Sequence, residues 1–241
     1  MKALNCLTKE CIILLHKNKL LQPLIKSELV QEVIESIHLE DNVKNESIKT
    51  FREKLNLQDE NVLKEFLIKN NLSIDQFNNL SFQKNKLKQF YSENFKGKIE
   101  SRFLQRKDEL DIIVYSLLRV SDLYFAKELY LRVSGNEADF GDLAQQYSEG
   151  LEKNSRGIIG PGPIGKMNPK LADALRNSKP GEILPPININ NQHVIARVEY
   201  FEPAQLDDFM KEKMGEELFN IFIDNQVSEI SLKLLNTNQE K

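Results

Sequence analysis

Glycine and proline are distributed very unevenly along this chain. Eight of the ten glycines lie between positions 135 and 181, and seven of the eight prolines lie between 161 and 203. Within residues 1–110, Gly97 is the only glycine and Pro23 is the only proline. Because both residue types interrupt regular helices, the first part of the chain can be helical almost throughout, whereas the second part must turn often. This predicts two domains with a boundary near residue 110.

The first part has the residue spacing of amphipathic helices. Apolar residues recur three and four positions apart, for example from Leu20 to Ile37. Ser73 and Gln76 have the pattern of a capping box, and Asp59 precedes another apolar run in the position of an N-cap. We therefore predict four or five helices from about residue 8 to residue 108, of which the last and longest runs from about 80 to 108.

From Asp111 onward the pattern changes. Residues 112–118 form a short apolar and β-branched run that is typical of a buried strand. Helices are predicted from Asp122, Ala138 and Pro169, with a loop at Ser148–Met167 before the third, and two strands follow. These two strands are predicted at 183–189 and 193–200. The order strand, helix, helix, loop, helix, strand, strand indicates an α+β domain with a mainly antiparallel sheet.

The end of the chain returns to a helical pattern. Beyond Pro203, apolar residues from Leu206 to Phe222 fall on one face of a long helix. This segment has no sheet partner, so we expect it to pack on the N-terminal helices. The predicted fold class is thus α+β: a helical domain at 1–110 completed by a C-terminal helix at 203–241, and a small antiparallel-sheet domain at 111–202.

Composition excludes several functional classes. A net charge of −3 and a pI near 5.8 argue against a nucleic-acid binder, which needs a basic surplus. Cys6 and Cys11 have no second ligand pair at zinc spacing, so we expect reduced thiols, no metal and no cofactor. No apolar run approaches the length of a membrane span. We expect a cytoplasmic monomer without membrane insertion.

Four short motifs follow one another in the second part. They are Phe140-Gly-Asp-Leu-Ala-Gln-Gln-Tyr-Ser148, Gly157-Ile-Ile-Gly160, Met167 with Leu171, Ala174 and Pro180-Gly181-Glu182-Ile183, and His193-Val-Ile-Ala-Arg-Val-Glu199. In this order and spacing they resemble the parvulins, a family of peptidyl-prolyl cis-trans isomerases. In layout the chain resembles the SurA and PrsA foldases, where a parvulin domain is embedded in a helical chaperone module. Residues 1–110 carry no comparable motif.

The resemblance implies an apolar pocket for a proline ring with a polar cluster behind it. The residues expected to bind substrate are Met167, Leu171, Leu175, Ile158, Ile159 and Tyr115. His193 and Ser116 are the expected catalytic residues. Ser116 stands where the family has its first histidine, Ile158 where it has an aspartate, and Arg176 where a phenylalanine is expected. The family's His-His-Asp network therefore cannot form here.

These residues support a peptidyl-prolyl isomerase or foldase that acts on a proline-containing client polypeptide. The alternative is a catalytically weak or inactive parvulin-like chaperone or adaptor that binds an unfolded or precursor peptide, because the polar cluster is incomplete. A structural subunit that assembles through the C-terminal helix is a third possibility. His193 could equally be a structural histidine, and Met167 and Leu171, four positions apart, could equally be core residues. The loop Ser148–Gly165 is the strongest candidate for a binding segment, since long loops within compact domains are often functional.

Overall fold

The computed structural model describes residues 3–236. Its helices are α1 Lys9–Lys17, α2 Leu21–Ser36, α3 Asp41–Lys54, α4 Glu60–Lys69, α5 Ile74–Asn94, α6 Lys96–Leu110, α7 Leu123–Ser134, α8 Phe140–Tyr147, α9 Pro169–Arg176 and α10 Asp208–Asn236. Its strands are β1 Ile112–Val120, β2 Ile158–Pro163, β3 Ile183–Ile189 and β4 Gln192–Glu202. Short 3₁₀ helices span Ala3–Cys6, Leu151–Ser155 and Ile164–Lys166. None of the described helices has the length and apolar character that crossing a bilayer requires.

The chain divides into two compact units. The first, the helical unit, comprises the residues up to Arg102 together with those from Asp207 onward. The second, the sheet unit, is Phe103–Leu206. The sequence predicts domain boundaries at residues 110 and 202, whereas the structure divides the chain after Arg102 and after Leu206. Helix α6 therefore contains residues of both units.

The core of the helical unit lies between α2, α5 and α10. Its buried residues include Leu21, Ile25, Leu29, Tyr91, Phe95, Phe219, Ile223 and Val227. The C-terminal helix thus returns to the N-terminal helices, as its apolar face predicts. Gly215 of α10 allows a close approach, because a Cβ there would lie 2.8 Å from the Tyr91 side chain. Burial, with the nearby Glu216 and Glu212 carboxylates, raises the pKa of Tyr91 to about 12.

Helix starts in this unit follow the sequence signals. The Ser73 side chain accepts a hydrogen bond from the Gln76 amide, and the Gln76 side chain accepts one from the Ser73 amide, which completes the predicted capping box. Asp59 caps α4. The prediction of a single helix at 80–108 is wrong: the structure has two helices, α5 and α6, which are separated at Phe95. The Phe95 ring is buried against Phe90 and Phe222, so the chain turns there to fill the core.

The sheet unit contains one antiparallel sheet with the strand order β2-β1-β4-β3. Strand alternation gives its two central strands two buried faces. One face, which we call the α9 face, packs Ile113, Tyr115, Leu117, Val194, Ala196 and Val198 against Leu171, Ala172 and Leu175. The other, the α7–α8 face, packs Leu118, Val120 and Ile195 against Ala126, Leu129, Val133, Phe140, Leu143 and Ala144. The predicted α+β class is confirmed.

The segment predicted as a long loop contains the additional strand β2. It pairs with β1 at one edge of the sheet, with Ile159 opposite Tyr115. Each outer strand carries two prolines, Pro161 and Pro163 in β2, and Pro185 and Pro186 in β3. Proline lacks the N–H that a central strand needs, so its place in a sheet is an edge.

Candidate functional site

A shallow cleft opens on the sheet unit where β1, β2 and the segment before α9 meet. It is lined by Ile113, Tyr115, Ile159, Gly160, Gly162, Pro163, Lys166 and Met167, and has a volume of about 210 Å³. We call it the Tyr115 cleft. Its lining is largely apolar, and its side-chain hydrogen-bond donors are the Tyr115 hydroxyl and the Lys166 ammonium. A cleft of this kind suits a small apolar ring with a polar group beside it.

Backbone geometry places β2 close enough to β1 to form this cleft. Gly160 has φ +113, a conformation that disfavours side chains, and a Cβ there would lie 2.6 Å from the Ile113 carbonyl oxygen. The 3₁₀ helix after β2 is anchored by Ile164, which is fully buried and whose amide donates to the Asp111 carbonyl oxygen at 2.8 Å. Lys166 and Met167 follow directly and therefore stand at the rim of the cleft.

Three of the predicted substrate-binding residues lie together in the cleft. Tyr115, Ile159 and Met167 line it from three different elements. Ile158 does not belong to this group: it pairs with Ser116, is 51% exposed and does not line the cleft. Neighbouring strand residues point to opposite faces, so Ile158 and Ile159 cannot both contribute.

Leu171 and Leu175 lie in the core rather than in the cleft. Their relative exposures are 4% and 0%, and they pack on the α9 face with Val194, Ala196 and Val198. A proline ring could touch Leu175 only by displacing these side chains. Their prediction as contact residues is therefore not supported, and their four-residue spacing is that of the buried stripe of α9.

His193 and Ser116 lie on the α7–α8 face, opposite to the cleft. His193 pairs with Val120 and Ser116 pairs with Arg197. Both partners belong to that face, since Val120 is in its core and the Arg197 guanidinium lies 5.2 Å from the Phe140 ring centroid. The Ser116 hydroxyl donates to the Glu199 carboxylate. The structure does not bring these two predicted catalytic residues to the Tyr115 cleft.

His193 also lacks the hydrogen bond that would orient its imidazole. Its Nδ1 atom is buried and has no partner among the described residues. A catalytic histidine is normally held in one orientation by a second group. Among the described residues, His193 therefore forms neither a catalytic dyad nor a proton relay through Nδ1.

A buried ion pair that the sequence did not reveal lies on the α9 face. Arg119 donates from Nε and Nη2 to the two carboxylate oxygens of Glu152, at 2.8 and 2.6 Å. The Ser148 hydroxyl donates to Glu152 Oε1 at 2.5 Å and accepts from the Arg119 amide at 3.1 Å. We call Arg119, Glu152 and Ser148 the ion-pair cluster. It ties the segment after α8 to the end of β1.

Burial and pairing act in opposite directions on the Glu152 carboxylate. Its side chain is 2% exposed, whereas that of Arg119 is 34% exposed. Burial alone would raise the pKa of Glu152, but the hydrogen bonds from Arg119 and Ser148 outweigh it and the pKa is lowered. The hydrogen bond to Glu152 raises the pKa of Arg119 in turn. Both groups are therefore charged at neutral pH.

Tyr115 connects the ion-pair cluster to the cleft. Burial raises the pKa of its phenol, with a lowering contribution from Arg119 and a raising one from Glu152. Its hydroxyl has no hydrogen-bond partner within the described part of the chain. The phenol is thus neutral and, as part of a residue that lines the cleft, can act as a hydrogen-bond donor.

Part of the sheet unit matches a known protein family. Residues 124–199 match the family model described as rotamase, PPIC-type PPIase domain. The matched segment contains α7 to α9 and most of β4, together with Ile159 and Met167 of the cleft. This part of the chain is a parvulin-type peptidyl-prolyl isomerase domain, and the whole chain joins it to a helical unit.

Solved foldase structures are similar to nearly the whole chain. The peptidylprolyl isomerase PrsA of Bacillus anthracis is 21% identical, covers 88% of this chain and 97% of its own, and has a TM-score of 0.43. The foldase PrsA of Streptococcus pneumoniae is 17% identical, with coverages of 91% and 85% and a TM-score of 0.44. A SurA-like chaperone of Campylobacter jejuni is 22% identical, with coverages of 88% of this chain and 92% of its own and a TM-score of 0.40. Among curated proteins none matches this chain significantly in sequence.

Proposed function

We propose that this chain is a peptidyl-prolyl cis-trans isomerase that acts on proline-containing segments of client polypeptides. The observation that supports this most is the convergence of Tyr115, Ile159 and Met167 on one open apolar cleft. The resemblance to the parvulins implies that these residues contact proline, and two of them, Ile159 and Met167, lie within the PPIC-type match at residues 124–199.

The reaction needs neither a nucleophile nor a metal. Rotation about an X-Pro bond breaks amide resonance, which creates a barrier of about 18–20 kcal/mol and takes tens to hundreds of seconds unassisted. The twisted amide has less charge separation than the planar one, so an apolar cleft binds it relatively better. Stronger binding of the twisted form than of the planar form is what accelerates rotation.

Within the cleft, Ile159 and Met167 would contact the proline ring while Tyr115 supplies a hydrogen bond. As the amide twists, its nitrogen lone pair ceases to be delocalised and becomes an acceptor. The Tyr115 hydroxyl can donate to it, which favours the twisted state. His193 and Ser116, on the α7–α8 face, have no contact with the client in this proposal and stabilise the sheet instead.

NMR exchange spectroscopy on Xaa-Pro peptides tests the activity. We expect acceleration above the spontaneous rate. Met167→Ala should lower kcat/KM about fivefold to tenfold, since about 1 kcal/mol of apolar contact is lost. Tyr115→Phe should lower it about twofold to tenfold through the lost hydrogen bond.

Leu131→Ala is the matched control, because Leu131 is 65% exposed on α7, on the far side of the sheet from the cleft. Exchange no faster than the spontaneous rate would remove the enzyme claim. Peptide binding without acceleration would leave the non-catalytic adaptor as the remaining interpretation.

We further propose a cytoplasmic monomer whose partner is the client polypeptide alone. The acidic pI of about 5.8 supports the exclusion of nucleic acid. Cys6 and Cys11 are exposed, and thiols of this kind suit a reducing compartment. Light scattering after size exclusion would detect a dimer, and cell fractionation would locate the chain.

A further inference from the structure

We infer that Lys166 makes the Tyr115 cleft selective for clients that carry an aspartate or glutamate next to the proline. This rests on the proposed function and specifies its substrate. Of the residues that line the cleft, Lys166 alone is charged. Lys166 is exposed, and within residues 3–236 it makes no ion pair. The cleft therefore presents one uncompensated positive charge to whatever it binds.

Two acidic residues that contact the backbone just before Lys166, Glu109 and Asp111, have side chains with other partners. Glu109 lies beside Gly165, where a Cβ would approach the Glu109 Cβ to 2.6 Å, but its carboxylate pairs with Arg106 at 3.0 Å. The Asp111 carboxylate accepts from the Ala204 amide at 2.8 Å. These acids are thus already hydrogen-bonded, which leaves the Lys166 ammonium open to a ligand.

The backbone holds Lys166 in a fixed place beside the cleft. The Ile164 amide donates to Asp111, and the Met167 amide donates to the Ile164 carbonyl oxygen at 3.2 Å. Ile164 is fully buried. The Cα of Lys166 is therefore set by the core, whereas its four-carbon stem can follow a ligand.

The client residue whose charge Lys166 can reach is one that directly flanks the proline. Consecutive Cα atoms are about 3.8 Å apart, so a flanking side chain begins within a few ångströms of a proline ring held against Met167. Lys166 directly precedes Met167 and reaches the same region. An exposed ion pair of this kind corresponds to a preference of up to about fivefold.

The experiment compares matched peptides that have Glu, Gln or Lys before or after the proline. Both the dissociation constant, from NMR titration, and the exchange rate are measured for the full chain. We expect Glu to be favoured over Gln about twofold to fivefold on at least one side, and Lys to be disfavoured. Raising the salt concentration should shrink the preference, because exposed charges are screened.

Variants assign the preference to one side chain. Lys166→Gln should abolish it and Lys166→Glu should reverse it, while the control Lys170→Gln, an exposed lysine of α9 outside the cleft lining, should retain it. A Glu preference that survives in Lys166→Gln, or no preference in the unaltered chain, would overturn the inference. Because binding is measured separately, a Lys166-dependent preference without accelerated exchange would count against the isomerase proposal alone.

Discussion

Breaking the ion-pair cluster should cost different amounts of stability depending on which partner is removed. Arg119→Gln leaves the Glu152 carboxylate, 2% exposed, with only the Ser148 hydroxyl as a side-chain partner. Glu152→Gln leaves the Arg119 guanidinium, which is 34% exposed and can turn to water. A buried unpaired charge is the costlier of the two, so Arg119→Gln should be the more damaging change.

The expected magnitudes follow from this difference in burial. Removing one partner of a fully buried pair costs about 3–5 kcal/mol, and Arg119→Gln should lie near the lower end of that range. For Glu152→Gln the exposure of Arg119 reduces the cost to about 1–2 kcal/mol. In a unit of this size each kcal/mol shifts Tm by roughly 4–8 °C, so the two variants should differ by about 5–15 °C.

Thermal unfolding followed by amide-proton NMR measures this in the sheet unit alone, through the amides of β1 and β4. Glu128→Gln, an exposed carboxylate of α7, is the control and should change stability by less than about 0.5 kcal/mol. The double variant of Arg119 and Glu152 should be destabilised by less than the sum of the single variants, since the first change already breaks the pair. Equal costs for the two single variants, or strict additivity, would refute the argument.

Three further predictions concern neighbouring features. The pKa of Glu152 is lowered in the folded state, so its contribution to stability is present above the unfolded pKa near 4.3 and is lost as pH falls below it. The difference in unfolding free energy between the native chain and Glu152→Gln should therefore shrink between pH 6 and pH 3 in urea titrations. A difference that stays constant over this pH range would contradict the argument. Gly150→Ala should destabilise the sheet unit by about 1–3 kcal/mol, because the added Cβ would overlap the Glu152 carboxylate and Arg119 Nε, whereas Gly97→Ala, with open space around it, should be neutral or stabilising by up to about 1 kcal/mol in calorimetry. Leu175→Ala should cost about 2–5 kcal/mol in denaturant unfolding as a core cavity, yet leave the KM for Xaa-Pro peptides unchanged, and a raised KM would restore its role as a contact.

Most of the sheet unit could be predicted from the sequence because its elements carry local signals. Apolar and β-branched residues mark β1, and Pro169 marks the first position of α9. Strand β2 carries no such signal. Four of its six residues, Ile158–Pro163, are glycine or proline, and it is a strand because β1 offers it an edge to pair with. Tertiary pairing overrode local preference there.

The site could be predicted only in part, and strand alternation explains the failures. Tyr115 and Ser116 are adjacent in β1, so they point to opposite faces and cannot serve one cleft. The same holds for Ile158 and Ile159. Motif spacing locates residues along the chain but does not show which face of the sheet they occupy. The alternation of side chains along a strand, with its period of two residues, does show the face.

The ion-pair cluster could not be predicted from spacing. Arg119 and Glu152 are 33 positions apart and meet only because the segment after α8 returns to the end of β1. The one local indication of the cluster is Gly150, which lies two positions before the buried Glu152 and leaves room for its carboxylate. Without the fold, that glycine could not be told from those of an ordinary turn.

The prolines in both outer strands determine how this unit can meet an extended chain. A sheet edge normally offers a row of N–H and C=O groups on which another strand can add. Pro161 and Pro163 at one edge, and Pro185 and Pro186 at the other, interrupt that row. Under the proposed function, these prolines would keep a client strand from extending the sheet at either edge. Contact with the client would then be made by the side chains of the Tyr115 cleft rather than by a continuous ladder of backbone hydrogen bonds, which favours release.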